Sequence, residues 1–535
     1  MSFEPLFPHV LARLIACESV NGYIEKLPPP WSDLAGAVLA APNHAQRSLA
    51  FDAALAGLAE SDSIRAAVLA ADPLADLESL LPPVDLSELP LTDAGNSEAL
   101  AGLYGNRLRY DHRRKCWFIW NGNRWEPDQD GEPERLALDT VRNRLRAALD
   151  LKDDEKRTRL IKWALASENR NKINALIAGA QSMHPITHSG EGWDSAPLLL
   201  GCANGVVELE SGSLRPAKPA DMLTLSTGID YNPAAQAPRF KRFLAEVFND
   251  SDEMIEFIQR AVGYSLTGDI REHKLFLCWG KGANGKGTLF NALWSALGDY
   301  AANTPFSTFE LNKFSQTNDI AKLYGKRFVT ASETSESRRM NEARVKAITG
   351  GDPVTCRFLF GEWFTYFPTY KIWLAMNHLP QIRGTDDGIW RRIRLIEFTV
   401  SFEGREDMTL NRDLEAEREG ILAWAVEGAV KWLAGGLTEP AAVKRATAQY
   451  RLESDLLGQF LDDCTQEQPG ARIKGSALYQ AYIEWCKVYG EKPLTGTTFG
   501  RRMKERDLDS AKQSGYIWYL DIGLTTDQGP EFKDS

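Results

Sequence analysis

The order strand, glycine-rich turn, helix is written into residues 274–297, and it constrains the fold more than any other feature of the chain. The apolar run Lys274-Leu-Phe-Leu-Cys278 reads as a buried parallel strand, and a helical pattern with Leu289, Leu293 and Leu297 on one side follows the turn. Gly280, Gly282 and Gly285 let the backbone of the turn curl tightly, so that consecutive N–H groups from Gly280 through Lys281, Ala283 and Asn284 point at one place. That geometry suits phosphate oxygens, and Lys286 supplies a point charge for terminal phosphates. The usual spacing has a hydroxyl directly after the lysine to hold Mg²⁺; here Gly287 stands there and Thr288 comes one later. Either Thr288 reaches the metal or a phosphate, or the metal leans on acidic residues and water.

At 535 residues the chain has room for three or four domains. It holds no run of eighteen apolar residues and no signal-like start, so a soluble, cytoplasmic protein without a membrane partner is expected. Seven cysteines lie far apart with no C-x-x-C pair, which excludes a zinc ribbon or a disulfide framework and leaves buried thiols. The net charge of −11 is unevenly spread. Residues 1–100 hold 14 acids against 4 bases, whereas residues 101–180 hold 17 bases against 12 acids. Local basic surfaces are therefore compatible with the acidic total.

Residues 1–95 are rich in Ala, Leu and Pro, with helical stretches at Ala45–Leu58 and Ser63–Ala71, and read as an acidic helical region without a chemical constellation. Residues 96–240 read as an α+β domain. It opens with a hairpin, strand Cys116–Trp120, turn Asn121-Gly122-Asn123, then Arg124-Trp125. Trp117, Trp120 and Trp125 among basic residues either stack on bases or pack under a small sheet. A further hairpin is expected at Glu210-Ser211-Gly212. Residues 241–440 carry apolar runs at Lys274–Trp279, Arg327–Ala331, Lys371–Met376 and Ile393–Phe398 with helices between several of them, which predicts a parallel sheet flanked by helices. Residues 441–535 end in three helices and a hairpin at Ser510–Asp521, the order of a winged helix-turn-helix. The fold class is thus α/β, with an α+β domain before the core and a winged helix after it.

Within the core, RFVTASET places Glu333 just past a strand, where an acid holds Mg²⁺ and polarises an attacking water. Asn377 ends the strand KIWLAMN; it either orients water at a γ-phosphate or caps the turn before His378-Leu379-Pro380. Arg391 and Arg392 precede the fourth strand. Either one of them projects into a neighbouring subunit's site to stabilise phosphoryl transfer, or they pair with Asp386 or Asp387 at the surface. Between the second and third strands, Asn341–Lys371 reads as a short helix and an antiparallel hairpin around Gly361-Glu362. Lys346, Arg357 and Lys371 are candidates for touching a phosphate backbone there. Phe358, Phe360 and Phe364 are read as hairpin packing.

Taken together, GKGANGKGT, VTASET, KAITGGDPVTCR, LAMNHLP and DDGIWRRIRLIEF resemble the superfamily 3 helicases, and specifically the phage/plasmid primase family related to the poxvirus-type primase-helicase. The resemblance extends over residues 97–522, through WFIWNGNRW and GCANGVVEL upstream and the terminal unit downstream. It implies an AAA+-like P-loop ATPase that assembles as a homohexameric ring, binds ATP and Mg²⁺, translocates on single-stranded DNA and unwinds forks. Carried over, residues 280–288 bind nucleotide, Thr288 and Glu333 serve the metal, and Asn377 is the sensor. Arg392 or Arg391 is the finger, and Lys346 and Arg357 lie near DNA. The resemblance also implies a phage, prophage or plasmid origin in a bacterial host, with a separate primase or initiator as partner. No D-x-D pair precedes the shared region, so primer synthesis by this chain is not expected. An origin-binding or loader ATPase without processive unwinding is the alternative; a P-loop ATPase acting on other acceptors fits the arginines and hairpin less well.

Overall fold

The computed structural model describes residues 84–310, 317–332, 340–358, 363–380, 382, 387–491, 493–504, 506, 508–513 and 515–525. The helices expected between Ala45 and Ala71, Glu333, and the Gly361-Glu362 turn lie outside them. The described residues up to Ala196, with Asn204–Val206 and Arg215–Ser226, form one unit; Pro197–Ala203, Val207–Leu214 and those from Thr227 on form a second.

In the first unit, strands β1 (Leu108–Asp111), β2 (Cys116–Trp120), β3 (Trp125–Pro127) and β4 (Thr187–His188) make a sheet in the order β3-β2-β1-β4. The pairs β1–β2 and β2–β3 are antiparallel, and β1–β4 is parallel. The tryptophans mostly pack. Trp125 is fully buried and its Nε1 donates to the Pro219 carbonyl at 2.9 Å, Trp120 leans on it, and Trp117 meets Tyr110 edge to face. Helices Asp93–Tyr104, Glu132–Leu149, Asp154–Ser167 and Arg170–Ala180 share a core of Leu100, Val141, Ala164 and Leu176. Fully buried Arg144 crosses this unit; its guanidinium donates to Asn96 Oδ1 at 2.7 Å and to the carbonyls of Leu89 and Pro90 at 2.7 and 3.1 Å. The buried charge is tolerated because oxygens accept from both terminal nitrogens, Nη1 and Nη2, while Nε is buried without a partner. Strands β5 (Leu199–Cys202), β6 (Gly205–Glu208) and β7 (Ser213–Arg215) follow as a three-stranded sheet, with Gly212 at φ 72° in the expected β6–β7 turn.

The second unit is built on a five-stranded sheet of β8 (Leu275–Trp279), β9 (Ala301–Asn303), β10 (Phe328–Ser332), β13 (Lys371–Met376) and β14 (Ile393–Glu397), in the order β14-β8-β13-β10-β9. Every neighbouring pair is parallel. The predicted parallel sheet is therefore present. Its four apolar strands are the four apolar runs, and β9 is added at an edge where three residues sufficed without an apolar run. Phe276 stacks on Trp373 at 4.3 Å between centroids, and Phe290 and Phe328 meet the same indole. The indole N–H, buried with it, donates to Ser265 Oγ at 3.0 Å. Strands β11 (Val354–Cys356) and β12 (Phe364–Tyr366) pair antiparallel, as predicted. Residues 456–525 hold helices Leu456–Cys464, Gly475–Val488 and Gly496–Lys504 with a sheet of β15 (Thr465–Lys474), β16 (Ser510–Gln513) and β17 (Tyr516–Leu524), ordered β15-β17-β16. No helix of the described residues is long and apolar enough to cross a membrane.

Helices Asp252–Leu266 and Arg418–Gly435 cross backbone to backbone. A Cβ on Gly263 would stand 2.0 Å from the Ala429 nitrogen, and one on Gly428 would stand 2.1 Å from the Gln259 oxygen. Neither neighbour is a side chain that can rotate away. Gly263→Ala is therefore expected to lower stability by about 1–3 kcal/mol or more, read by chemical denaturation, although alanine is otherwise the better helix former.

Candidate functional site at the end of strand β8

The sheet order reverses at β8. The chain leaves β8 for β9 and β10 on one side, returns to β13 beside it, and then crosses to β14 on the other side. The carboxyl end of such a strand opens a crevice between its two neighbours, the usual ligand position in an open α/β sheet.

The turn Gly280–Gly285 sits in that crevice. Its backbone is left-handed at Gly282 (φ 108°), Ala283 (φ 43°) and Gly285 (φ 85°). A Cβ on Gly280 would stand 2.0 Å from Asn284 Nδ2 and 2.5 Å from the Phe398 oxygen, so the turn closes only on glycine. Nothing lies within 4 Å of the Cβ positions of Gly282 and Gly287. The turn is thus packed below and bare above. Asn284 is buried and its Nδ2 donates to the Phe398 carbonyl at 3.3 Å, while the Ala283 carbonyl accepts from Phe402 N at 2.7 Å. The side chain of Asn284 is an anchor, so its contribution to a ligand is its backbone N–H. Lys281 is exposed and Thr288 half-buried.

Lys286 begins the helix Lys286–Leu297 and is 6% exposed. Its Nζ donates to the Gly280 carbonyl at 2.5 Å and to Asn377 Oδ1 at 3.3 Å. Burial lowers the pKa of this ammonium below the ordinary lysine value. The helix dipole also opposes a cation at this end. Both penalties are relieved by an anion on the bare side of the turn. Asn377 is carried there by the pairing of β13 with β8, which sets Met376 opposite Trp279; Trp279 Nε1 also donates to the Asn377 carbonyl at 3.1 Å. β10 ends at Ser332, opposite Ala375 of β13, and Glu333 is the next residue in the chain.

The two arginines differ. Arg392 is buried, with Nε donating to Thr349 Oγ1 at 3.1 Å and Nη1 to the Gly388 carbonyl. Arg391 is exposed and lines a cavity of about 320 Å³ with Arg394, Lys444 and Arg451. The two acids of that cavity wall are paired, Asp387 with Arg451 at 2.7 Å and Glu439 with Arg394. Thr349, which sequence reading passed over, is the residue that fixes Arg392; a helical threonine gives no signal of this in one sequence.

Lys371 departs from its expected place near DNA. It is 2% exposed, and its Nζ donates to the carbonyls of Thr267, Asp269 and Thr369. Burial pushes its pKa well down, and an ammonium with its donors taken by backbone is turned into the fold, not toward a phosphate. Arg357 and Lys346 do reach the surface. Arg357 is exposed and lies over the Trp363 ring at 4.9 Å, with Phe358 47% and Trp363 56% exposed beside it. Lys346 is half-buried on the helix Glu342–Gly350. Phe364 packs on Tyr324 and Tyr366, as the packing reading has it, and Phe360 lies outside the described residues.

Among the described residues no three His, Cys, Asp or Glu side chains gather as a metal site. A Mg²⁺ that arrives with a nucleotide keeps waters and takes one or two protein oxygens beside the phosphates, so the half-buried Thr288 hydroxyl fits that smaller demand.

Comparison with known proteins bears on what the crevice serves. Residues 97–249 match the family described as D5 N terminal like, residues 278–392 a family of unknown function, and residues 452–509 the family described as poxvirus D5 protein-like. "Putative helicase L207/L206" of Acanthamoeba polyphaga mimivirus is 29% identical over 55% of this chain and 33% of its own length. "Putative helicase 022R" of Frog virus 3 is 23% identical over 56% of this chain and 40% of its own length. "Putative primase C962R" of African swine fever virus is 26% identical over 55% and 33%. The chain thus spans a third to two fifths of the length of these relatives. They come from viruses of eukaryotes and give the expected bacterial host no support. Among solved structures, the apo C-terminal region of NrS-1 is 13% identical with a TM-score of 0.46, covering 78% of this chain and 96% of that one. The two D5-type matches, together with relatives named as putative helicases and primases of large DNA viruses, support kinship with a poxvirus D5-type primase-helicase family.

Proposed function

We propose that this chain is an ATP-dependent DNA helicase of superfamily 3, acting in the replication of a virus, phage, prophage or plasmid. One observation carries the reading: a buried ammonium, Lys286, stands at a helix N-terminus on the switch-point strand, below a turn whose upper side is bare at Gly282 and Gly287. The backbone N–H groups from Gly280 to Thr288 cradle the phosphates, as in an AAA+-like P-loop core, and Lys286 moves from Asn377 Oδ1 toward the γ-phosphate. Asn377, released, orients the attacking water. Thr288 and Glu333 would hold a Mg²⁺, which would neutralise charge on the phosphates. Glu333 takes the proton of the water.

Exposure favours Arg391 as the finger, because Arg392 is held by Thr349 and Gly388. A ring of copies, a hexamer in this reading, would present Arg391 to the next copy's nucleotide. The hairpin of β11 and β12, with Arg357 and Trp363 toward solvent, then meets single-stranded or forked DNA, with Lys346 nearby. The terminal helices and sheet act as the winged helix. A separate primase or initiator is the further partner.

Two tests follow. Lys286→Ala is expected to lower ATP hydrolysis by about 100-fold or more with the melting temperature kept; DNA-stimulated hydrolysis that survives the change would sink the reading. Arg391→Ala is expected to lower hydrolysis about 1,000-fold in an assembled sample without loss of stability. Arg392→Ala should instead cost about 1–3 kcal/mol of stability, since it strips partners from Thr349 and Gly388. The reverse pattern in hydrolysis and denaturation measurements would exchange their roles.

A further inference from the structure

We propose that the outer face of the β15-β17-β16 sheet is a stacking platform for unpaired bases of single-stranded DNA, separate from the ATP crevice and the β11–β12 hairpin. Strand register fixes which residues share that face. Lys474 pairs with Trp518, Arg472 with Leu520, Ala511 with Trp518 and Gln513 with Tyr516. The alternate residues Ile473 and Tyr519, paired with each other, pack on the core with Leu478, Tyr482 and Phe499; the register shifts beyond Leu520. Side chains alternate along a strand, so Arg472, Lys474, Tyr516 and Trp518 lie together on the side away from that core.

Their contacts agree. Lys474 Nζ lies 3.4 Å from the centroid of Tyr516, and the Arg472 guanidinium lies 5.2 Å from that of Trp518. Arg472 Nη1 also donates to Gln513 Oε1 at 3.0 Å. Tyr516 is 52% exposed. The two rings are two residues apart on one strand, hence about 7 Å, and each has a cation at its face. In the register Tyr516 and Trp518 pair with Gln513, Ala511 and Lys474, none of them an acid; Asp509 and Asp521 lie beside Leu520, further along β17.

Exposed aromatic rings beside cations are the combination that binds single strands: a base stacks on the ring and the cation meets the adjoining phosphate. Duplex bases offer no free π-face to such a ring, so the chemistry selects unpaired bases. A base on Tyr516 takes either the ring face now under Lys474 or the opposite one. In both cases the ammonium stays within reach of the next phosphate. The site deepens the helicase reading by naming a second contact on the unwound strand, and rests on that reading only for its setting.

The test measures binding of a fluorescein-labelled oligothymidylate of about 20 nucleotides, long enough for one site of this kind, to the full chain without nucleotide. Tyr516→Ala should weaken binding about tenfold, within the range for one stacked base. Tyr516→Phe should retain it. An abasic oligonucleotide of the same length should bind both proteins alike. Photocrosslinking of a 4-thiothymidine oligonucleotide should label Tyr516 or Trp518. Unchanged affinity together with no label on this strand overturns the proposal and leaves the face to a protein partner; equal loss on abasic DNA reduces it to a backbone contact and overturns the stacking. Preference for duplex over single strand overturns it in favour of groove binding. Basal ATP hydrolysis should be the same in Tyr516→Ala and wild type. Tyr516-dependent binding in a chain that hydrolyses no ATP would sink the motor and leave this site standing.

Discussion

A lysine ammonium buried at the positive end of a helix is the constraint on which the candidate site depends. By itself the arrangement is unfavourable twice, through desolvation and through the helix dipole. It is held because β8, between β14 and β13, runs into the turn, because Gly280 offers a carbonyl at 2.5 Å, and because β13 delivers Asn377 beside it. The turn itself is pinned by Asn284 and Ala283 to the chain after β14. Three strands and a helix therefore converge on one charge, and the space above the turn is open at Gly282 and Gly287. An anion completes the arrangement; no further protein group does so among the described residues.

The same accounting separates the cations of this chain by task. Arg144 and Lys371 are buried with carbonyl oxygens on their donors, and Arg392 is buried against Thr349 and Gly388. Such groups brace segments of chain: Lys371 ties the start of β13 to the turn Thr267–Asp269. Breaking them leaves polar atoms unpaired, and the loss falls on stability. Arg391, Arg357, Arg472 and Lys474 instead lie at the surface or over aromatic rings. In the roles proposed for them, their loss falls on a ligand.

The parallel sheet was legible because its four main strands are apolar on both faces, which leaves a clear run in the chain. β9 was not, since Ala301–Asn303 pairs through backbone alone at an edge. β15 was not, because TQEQPGARIK is polar with a Pro-Gly break; its strand state depends on β17, which takes it up with a register shift between Glu467 and Arg472. The break between helices Leu410–Ala416 and Arg418–Gly435 is likewise tertiary: they meet at Glu417, whose carboxylate accepts from the N–H groups of Arg239 and Phe240.

The sequence by itself determined the chemistry at hand: a glycine turn between strand and helix, a lysine at its end, an asparagine and two arginines after later strands. These follow from local rules of turn conformation and strand burial, which act over a few residues. Only the tertiary structure decided which charges are available. Lys371 and Arg357 are alike as residues in a sequence, yet one is consumed by three carbonyls and the other faces solvent. Availability depends on which distant backbone oxygens arrive beside a side chain, and that is set by strand order and register, which no single stretch of the chain contains.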